Sequence, residues 1–172
     1  MKISVRAMVV MALVTGIYAA ITIAQGAIGF GPIQFRVAES LNLLAFFNPI
    51  FVPAVTLGVF LANLLGSPYG IIDAGLGTLA TIIALILLRL TKKATNNLFL
   101  SSLWITIANA LLVPLVVLLS TVGVQGLTWG AYLPFAGAVA LGQFVVVSIF
   151  GYAAIRFMQK NQPHFIQKLE SL

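Results

Sequence analysis

Between Lys93 and Arg156 the chain carries no charged side chain at all. Over the whole sequence, 61% of the 172 residues are hydrophobic and 7% are charged, whereas soluble domains average about one quarter charged residues. Such a stretch is expected to lie in a lipid bilayer. Function is then expected at the few charges between the basic ends, because ionisable residues inside a membrane are costly and usually functional.

The lengths of the apolar runs predict an all-α bundle of membrane-spanning helices. A helix that crosses the hydrocarbon core needs about 20 mostly apolar residues. Four runs meet that length: about 7–28, 71–90, 98–122 and 131–157. Another apolar stretch, 37–66, is interrupted by Asn48-Pro49 and Pro53, and proline breaks a helix interior. It forms either one kinked span or two short ones, at about 37–48 and 50–66.

The positions of the basic residues favour the two short spans. Lys and Arg near the ends of transmembrane helices strongly favour the cytoplasmic side. With six spans, every basic residue except Arg36 faces the cytoplasm: Lys2, Arg6, Arg89, Lys92, Lys93, Arg156, Lys160 and Lys168. We therefore expect residues 1–172 to form one integral membrane domain, a bundle of six transmembrane helices with both termini in the cytoplasm.

Composition argues against several other classes of protein. The chain has no cysteine, which excludes disulfides and thiolate metal sites, and its single histidine, His164, lies in the polar tail. Its basic residues are scattered singly between apolar runs, which does not predict nucleic-acid binding. The sequence contains neither a phosphate-binding Gly-Lys-Ser/Thr loop nor a His-Glu-x-x-His motif. We therefore expect no enzyme, no self-powered pump, no metal and no other cofactor.

The segment 34–40 combines an amide, a guanidinium, a carboxyl and a hydroxyl group within seven residues, away from the basic ends of the chain. Arg36 and Glu39 are three residues apart, so they share a face if the second helix begins near Arg36. They form either a mutual ion pair that anchors the helix start or part of a cavity, which buried ionisable residues in spans usually line. Gln34 adds an amide and Phe35 adds a surface for stacking. All four are candidate substrate-binding residues.

Three further candidates lie at or near the predicted outer ends of other helices. Asp73 either caps the start of its helix or receives a cationic group of a ligand. Asn63, late in its helix, either makes a hydrogen bond to a neighbouring helix or joins the same site. Trp129 belongs either to an aromatic belt at the membrane surface or to a lid that stacks on a flat ligand. Asn109 and Gln143 are expected to make hydrogen bonds between helices.

Small residues recur along the first helix. Ala12, Gly16 and Ala20 are four residues apart, which places them in one ridge on a helix. Such a ridge lets a second helix approach closely. It packs either inside the bundle or against another membrane protein.

Three runs resemble the signature of the QueT family. They are 31–41 (Gly-Pro-Ile-Gln-Phe-Arg-Val-Ala-Glu-Ser-Leu), 58–64 (Gly-Val-Phe-Leu-Ala-Asn-Leu) and 73–81 (Asp-Ala-Gly-Leu-Gly-Thr-Leu-Ala-Thr). The resemblance implies a substrate-binding subunit, or S-component, of a bacterial energy-coupling factor (ECF) transporter in the cell membrane. Such a subunit would capture a queuosine precursor outside the cell and deliver it through an ECF module, made of a transmembrane coupling subunit and two ABC ATPases.

The resemblance also implies roles for the candidate residues. The ligand would be a deazaguanine base, with or without an aminomethyl group. Glu39 would accept from its ring N–H and exocyclic amine, and Arg36 would donate to its carbonyl oxygen or orient Glu39. Asp73 would receive the ammonium group, and Phe35 or Trp129 would stack on the ring.

For the first helix, the resemblance implies that the ridge of Ala12, Gly16 and Ala20 docks on the coupling subunit. Two alternative functions remain open at the level of the sequence. One is an S-component for another small nutrient, such as a nucleobase or a vitamin. The other is a stand-alone carrier of small solutes.

Overall fold

A computed structural model of the chain describes residues 4–31 and 33–172, and the regular elements over these ranges are all helices. This confirms the predicted all-α class. Lys2, one of the residues used to predict orientation, lies outside the described residues. Four helices are long and apolar enough to cross a membrane, and two apolar helices are shorter. The six-span topology therefore stays a prediction.

The chain forms seven helices that are longer than one turn over the described residues. They are α1 (Val5–Gln25), α2 (Val37–Phe47), α3 (Phe51–Gly66), α4 (Gly70–Thr95), α5 (Leu98–Thr121), α6 (Trp129–Asn161) and α7 (Pro163–Glu170). Helix α2 begins as a 3₁₀ helix, Val37–Leu43, and ends as a single α-helical turn, Leu44–Phe47. One-turn helices also occur at Ala27–Phe30 and Val124–Gly126.

The interruption at Asn48-Pro49 separates α2 from α3. The last carbonyl groups of α2 accept hydrogen bonds from two basic side chains of α4: Arg89 donates to Ala45 and Phe46, and Lys92 donates to Phe47. Cations at a helix C-terminus bond to its free carbonyl groups and are attracted to the negative end of the helix dipole, which stabilises the helix. Asn48 donates to the carbonyl groups of Leu169 and Glu170, which holds α7 against the same end of the bundle.

Helix α1 packs closely against α3 because α3 carries a glycine at the contact. A Cβ added at Gly58 would lie 2.9 Å from the Cβ of Tyr18 and 3.1 Å from the carbonyl oxygen of Thr15. The buried face of α1 consists of Ala7, Thr15, Tyr18 and Thr22. Close approach over a small residue is the usual geometry of helix pairs in membranes. It brings the hydroxyl of Tyr18 into the centre of the bundle.

Helix α6 contains a π-helical stretch, Phe144–Gly151. Its buried positions include a run in which each residue follows the last by four: Val139, Gln143, Val147, Gly151 and Ile155. In a plain α-helix a four-residue repeat drifts by about 40° per step, since each residue turns the chain by about 100°. The π hydrogen-bond pattern takes more residues per turn, so these positions remain on the side that faces the bundle.

Candidate functional site

Arg36 is the centre of a buried polar cluster at one end of the bundle. It precedes the first turn of α2 with an extended backbone (φ −92°, ψ 100°) and is 2% exposed. All three guanidinium nitrogens donate hydrogen bonds: Nε to the carbonyl oxygen of Gly29 at 2.7 Å, Nη1 to Oδ1 of Asn63 at 3.0 Å, and Nη2 to Oδ2 of Asp73 at 3.3 Å. Its Cζ also lies 4.7 Å from the ring centroid of Phe30. The side chain therefore joins the loop after α1 to α3 and α4.

Asp73 is the acidic partner of Arg36. It lies in the first turn of α4, whose N-cap is Tyr69, and among the described residues its side chain accepts from Arg36 and from no backbone N–H of the helix. Of the two interpretations of Asp73, the helix cap is therefore wrong. Asn63 supports the pair, because its Nδ2 donates to the backbone oxygen of Asp73 at 3.1 Å. Gly77 leaves room for both side chains, since a Cβ there would lie 2.7 Å from Oδ1 of Asp73.

Glu39 is held by neutral side chains instead of by Arg36. Tyr18 donates its hydroxyl proton to Oε1 at 2.8 Å, and Asn42 donates from Nδ2 to Oε2. The mutual Arg36–Glu39 ion pair suggested by the three-residue spacing is wrong, because Arg36 precedes the helix and pairs with Asp73. The cluster thus contains two carboxyl groups and one guanidinium group, all at most 2% exposed. Glu39 has no basic partner within the described part of the chain, and such a buried carboxylate is suited to a cationic or N–H-rich ligand.

Gln34 also lies in this region, on the loop that precedes α2. Its φ is +48°, a backbone conformation that is unusual for residues other than glycine, and the residue is 1% exposed. Neither Nε2 nor Oε1 has a hydrogen-bond partner among the described residues. A buried polar group without a partner costs about 1–3 kcal/mol. Gln34 therefore lowers the stability of the fold twice, through its backbone and through its amide.

Two amides of α5 and α6 continue the polar region from Gln34. Nε2 of Gln143 donates to the backbone oxygen of Gln34 at 3.5 Å, and Nδ2 of Asn109 donates to Oε1 of Gln143 at 3.4 Å. This confirms the predicted hydrogen bond between the helices that carry Asn109 and Gln143. Both distances are long for N–H···O bonds, which usually measure about 2.7–3.2 Å. Asn109 also approaches the carboxyl group of Glu39.

The two aromatic candidates lie in different surroundings. Phe35 is half-buried and packs on the main apolar core, while its carbonyl oxygen accepts from Nε2 of Gln25 at 2.9 Å. Trp129 is 77% exposed and lines an apolar groove with Leu111 and Tyr132. The structure thus joins Arg36 to Asn63 and Asp73 and places Gln34 and Glu39 in the same buried region, whereas Phe35 packs on the apolar core and Trp129 lies on a separate surface.

The ridge on α1 faces outward. Its three residues, Ala12, Gly16 and Ala20, are exposed. A shallow apolar groove on the surface of the chain is lined by these residues together with Val9, Leu13 and Ile17. A Cβ added at Gly16 would meet no atom within 4 Å. The packing of this chain alone therefore does not require a glycine there.

Tyr18 and Asn42 were not among the candidates from the sequence. A signal for Tyr18 was present, because Thr15, Tyr18 and Thr22 recur at spacings of three and four in an otherwise apolar helix. This is the spacing of one helix face. Over residues 4–31 and 33–172, no group of three or more His, Cys, Asp or Glu side chains could hold a metal ion.

The apolar helices and the buried charged cluster define a multi-pass α-helical membrane protein. Residues 8–160 match the family model described as "QueT transporter". The chain therefore belongs to the QueT transporter family, which confirms the resemblance seen in the motifs.

The queuosine precursor transporter QueT of Lactococcus lactis subsp. cremoris (strain MG1363) is 42% identical over 79 residues. The match covers 45% of this chain and 46% of that protein, so it spans less than half of the relative's length. No solved structure matches the chain.

Proposed function

We propose that the chain is the substrate-specific S-component of an ECF-type importer and that it captures a queuosine precursor, a deazaguanine base, outside the cell. The observation that carries this proposal is the cluster of two buried carboxyl groups and one guanidinium group, in a chain of the QueT transporter family. A purely structural membrane subunit has no need of buried charges, which are costly in a bilayer. The curated relative, named for a queuosine precursor, supports the choice of ligand.

Within this cluster the residues have different tasks. Arg36 has every guanidinium nitrogen bonded, so its task is to hold Asn63, Asp73 and the loop in place. Glu39 is the group that binds the ring N–H and exocyclic amine of the base. Oδ1 of Asp73 has no partner among the described residues, which suits the ammonium of an aminomethyl group. Phe35 is favoured over Trp129 for stacking because it directly precedes Arg36 in the chain and is half-buried, whereas Trp129 lies on a separate surface.

Replacing Glu39 with glutamine should weaken binding of 7-aminomethyl-7-deazaguanine at least about tenfold, because a good bidentate contact to a base edge discriminates by about 1–3 kcal/mol. Glutamine keeps the size of the side chain and an oxygen for Tyr18, so the fold should persist. The measurement is a calorimetric titration of the purified protein. Glu170→Gln, on the exposed side of α7, is the matched control and should bind as the wild type does. Equal affinity of both variants would remove Glu39 from the site.

The positions of the charges along α4 support a site on the outer side of the membrane. Asp73 and Lys92 are 19 residues apart on one helix, a distance of about 28 Å, which is close to the thickness of the hydrocarbon core, about 30 Å. Lys92 and Arg156 line one polar groove at the end away from Asp73. Basic residues favour the cytoplasm. This supports six spans with both termini inside and the site facing outward.

The ridge on α1 is the proposed docking surface for the transmembrane coupling subunit of the ECF module. Glycine in a helix costs about 0.5–1 kcal/mol relative to alanine, and Gly16 meets no atom of its own chain that requires it. A partner helix lying over Ala12, Gly16 and Ala20 would explain the absence of a side chain. The two ABC ATPases would then supply the energy that this chain has no motif to obtain.

Replacing Gly16 with tryptophan should block assembly with the ECF module and leave ligand binding intact. Overpacking costs about 1–3 kcal/mol, which corresponds to a complex weakened about 5- to 150-fold. The measurement is the amount of coupling subunit that co-purifies with the chain. Gly137→Trp is the matched control, because Gly137 on α6 is also exposed and a Cβ there meets no atom within 4 Å. Equal co-purification of both variants would contradict the assignment, and uptake by liposomes containing this chain alone would favour a stand-alone carrier.

A further inference from the structure

Gln34 has two properties that the packing of the fold does not require. Its backbone lies in the left-handed region, at φ +48°, where glycine would be free of strain. Its side chain is 1% exposed, and neither of its two polar atoms has a partner among the described residues. Strained and unsatisfied residues concentrate at functional sites, where the surrounding structure holds them in place.

The loop that carries Gln34 is seated directly on α6. A Cβ added at Gly142 would collide with the carbonyl oxygen of Ile33, so the backbone of the loop touches the helix there. This contact places Gln34 next to Gln143, whose amide donates to the Gln34 backbone. Asn109 follows behind Gln143 and approaches Glu39. Three amides thus lead from the loop to the carboxyl group assigned to the ligand.

Arg36 has five N–H groups, and three of them already donate to protein groups, whereas the amide of Gln34 has no partner in the described part of the chain. Each nitrogen of Arg36 already donates to Gly29, Asn63 or Asp73. A primary amide presents an N–H donor and a carbonyl acceptor side by side. Nε2 of Gln34 can therefore donate to the 6-oxo group, while Glu39 keeps the ring N–H. Gln34 offers both of these atoms free of protein partners within the described part of the chain.

We propose that Gln34, positioned by Gln143 and Asn109, is a specificity-determining residue that donates to the 6-oxo group of the substrate. It selects a ring with a 6-oxo group over the same ring with a 6-amino group. This inference rests on the proposed function and assigns the recognition of the oxo group to Gln34 instead of Arg36. A site built to hydrogen-bond a substrate group discriminates strongly against an analogue that lacks it, because the buried protein group is then left unpaired.

The test is a titration of the purified full chain with two bases, 7-deazaguanine and 7-deaza-2,6-diaminopurine. The wild type should prefer 7-deazaguanine by at least about tenfold. Gln34→Met, which keeps the length of the side chain, should weaken binding of 7-deazaguanine at least about tenfold and lower the ratio of the two affinities, with Glu39 accounting for the preference that remains.

Gln25→Met is the matched control. The Gln25 amide holds the same loop, since it donates to the carbonyl oxygen of Phe35 and accepts from the backbone N–H of Val37. Loss of loop support should weaken both bases by the same factor and keep the preference. If Gln34 only shaped the loop, Gln34→Met would behave in the same way, and the inference would be wrong.

Gln34→Gly keeps the test decisive if the methionine variant fails to fold. Glycine removes both the amide and the backbone strain, so the midpoint of thermal unfolding should rise while affinity for 7-deazaguanine falls. A wild type that binds neither base overturns the proposed function, and this inference with it. A wild type that prefers 7-deazaguanine, alongside a Gln34→Gly variant with the same preference, overturns this inference alone.

Discussion

Replacing Arg36 with alanine should destabilise the protein more than a single substitution at Gln34, Glu39 or Gly58. The substitution removes three hydrogen bonds and leaves the carboxyl group of Asp73 buried without its cation. Breaking a buried ion pair by removing one partner costs about 3–5 kcal/mol, a large part of the stability of a typical domain, about 5–15 kcal/mol. The measurement is the midpoint of thermal unfolding in detergent, followed by the fluorescence of Trp104 and Trp129.

The double variant Arg36→Met, Asp73→Leu separates charge from packing. Replacing both members of a buried ion pair by apolar residues of similar volume is often neutral or stabilising. The double variant should therefore unfold near the wild-type midpoint, while its affinity for 7-aminomethyl-7-deazaguanine is lost together with Asp73. If Arg36→Ala unfolds at the wild-type temperature, the ion pair does not hold the loop, α3 and α4 together.

Replacing Gly58 with leucine should disrupt both the fold and the site. A side chain at this position would strike Tyr18 and the backbone of Thr15, so α1 and α3 must separate. Overpacking costs about 1–3 kcal/mol, occasionally more. Displacement of Tyr18 also removes the hydrogen bond to Glu39. We expect a lower unfolding midpoint together with at least about tenfold weaker ligand binding, since a lost bond to a charged group is worth about 1.5–3 kcal/mol.

Gly137→Leu is the control for Gly58→Leu, because the same side chain there meets open space. Thermal unfolding and ligand titration of both variants decide the outcome. A Gly58→Leu variant with wild-type stability would show that α1 does not pack on α3 as closely as the structure places it. A destabilised variant that still binds at full strength would show that the Tyr18 hydroxyl does not orient Glu39.

Several features of the fold were predictable because they follow from polarity and from proline alone. Long apolar runs gave the helical class, and the interruption at Asn48-Pro49 lies where α2 ends and before α3 begins at Phe51. The 3₁₀ start of α2 and the π stretch of α6 were not predicted. Both depend on contacts with neighbouring helices, such as the 3.1 Å hydrogen bond from the Ser40 hydroxyl to the carbonyl oxygen of Val146. Local sequence periodicity does not contain these contacts.

The residues of the candidate site could be predicted from the sequence, but which of them form hydrogen bonds and ion pairs with one another could not. Charges are so few that Arg36, Glu39 and Asp73 could be selected by their rarity. Arg36 has an extended backbone and lies before the helix begins. The three-residue spacing to Glu39 therefore does not place the two side chains on one helix face. Tyr18 was missed because tyrosine is common at membrane surfaces, and only the fold shows that it is fully buried. The Gln34 amide is buried without a partner among the described residues because the loop before α2 packs with α5 and α6. These segments are far apart in the sequence, so this feature could not be predicted from it.

The π-helical stretch Phe144–Gly151 has a consequence for how the sequence of α6 can change. Deleting one residue there would rotate every later side chain by about 100° around the helix axis. Ile155 would then turn from the interior towards lipid, and α7 would no longer meet Asn48. Exchanging one apolar residue for another leaves this geometry intact. The π-helical stretch can therefore accept other apolar residues, but it cannot lose a residue without turning the later side chains away from the bundle.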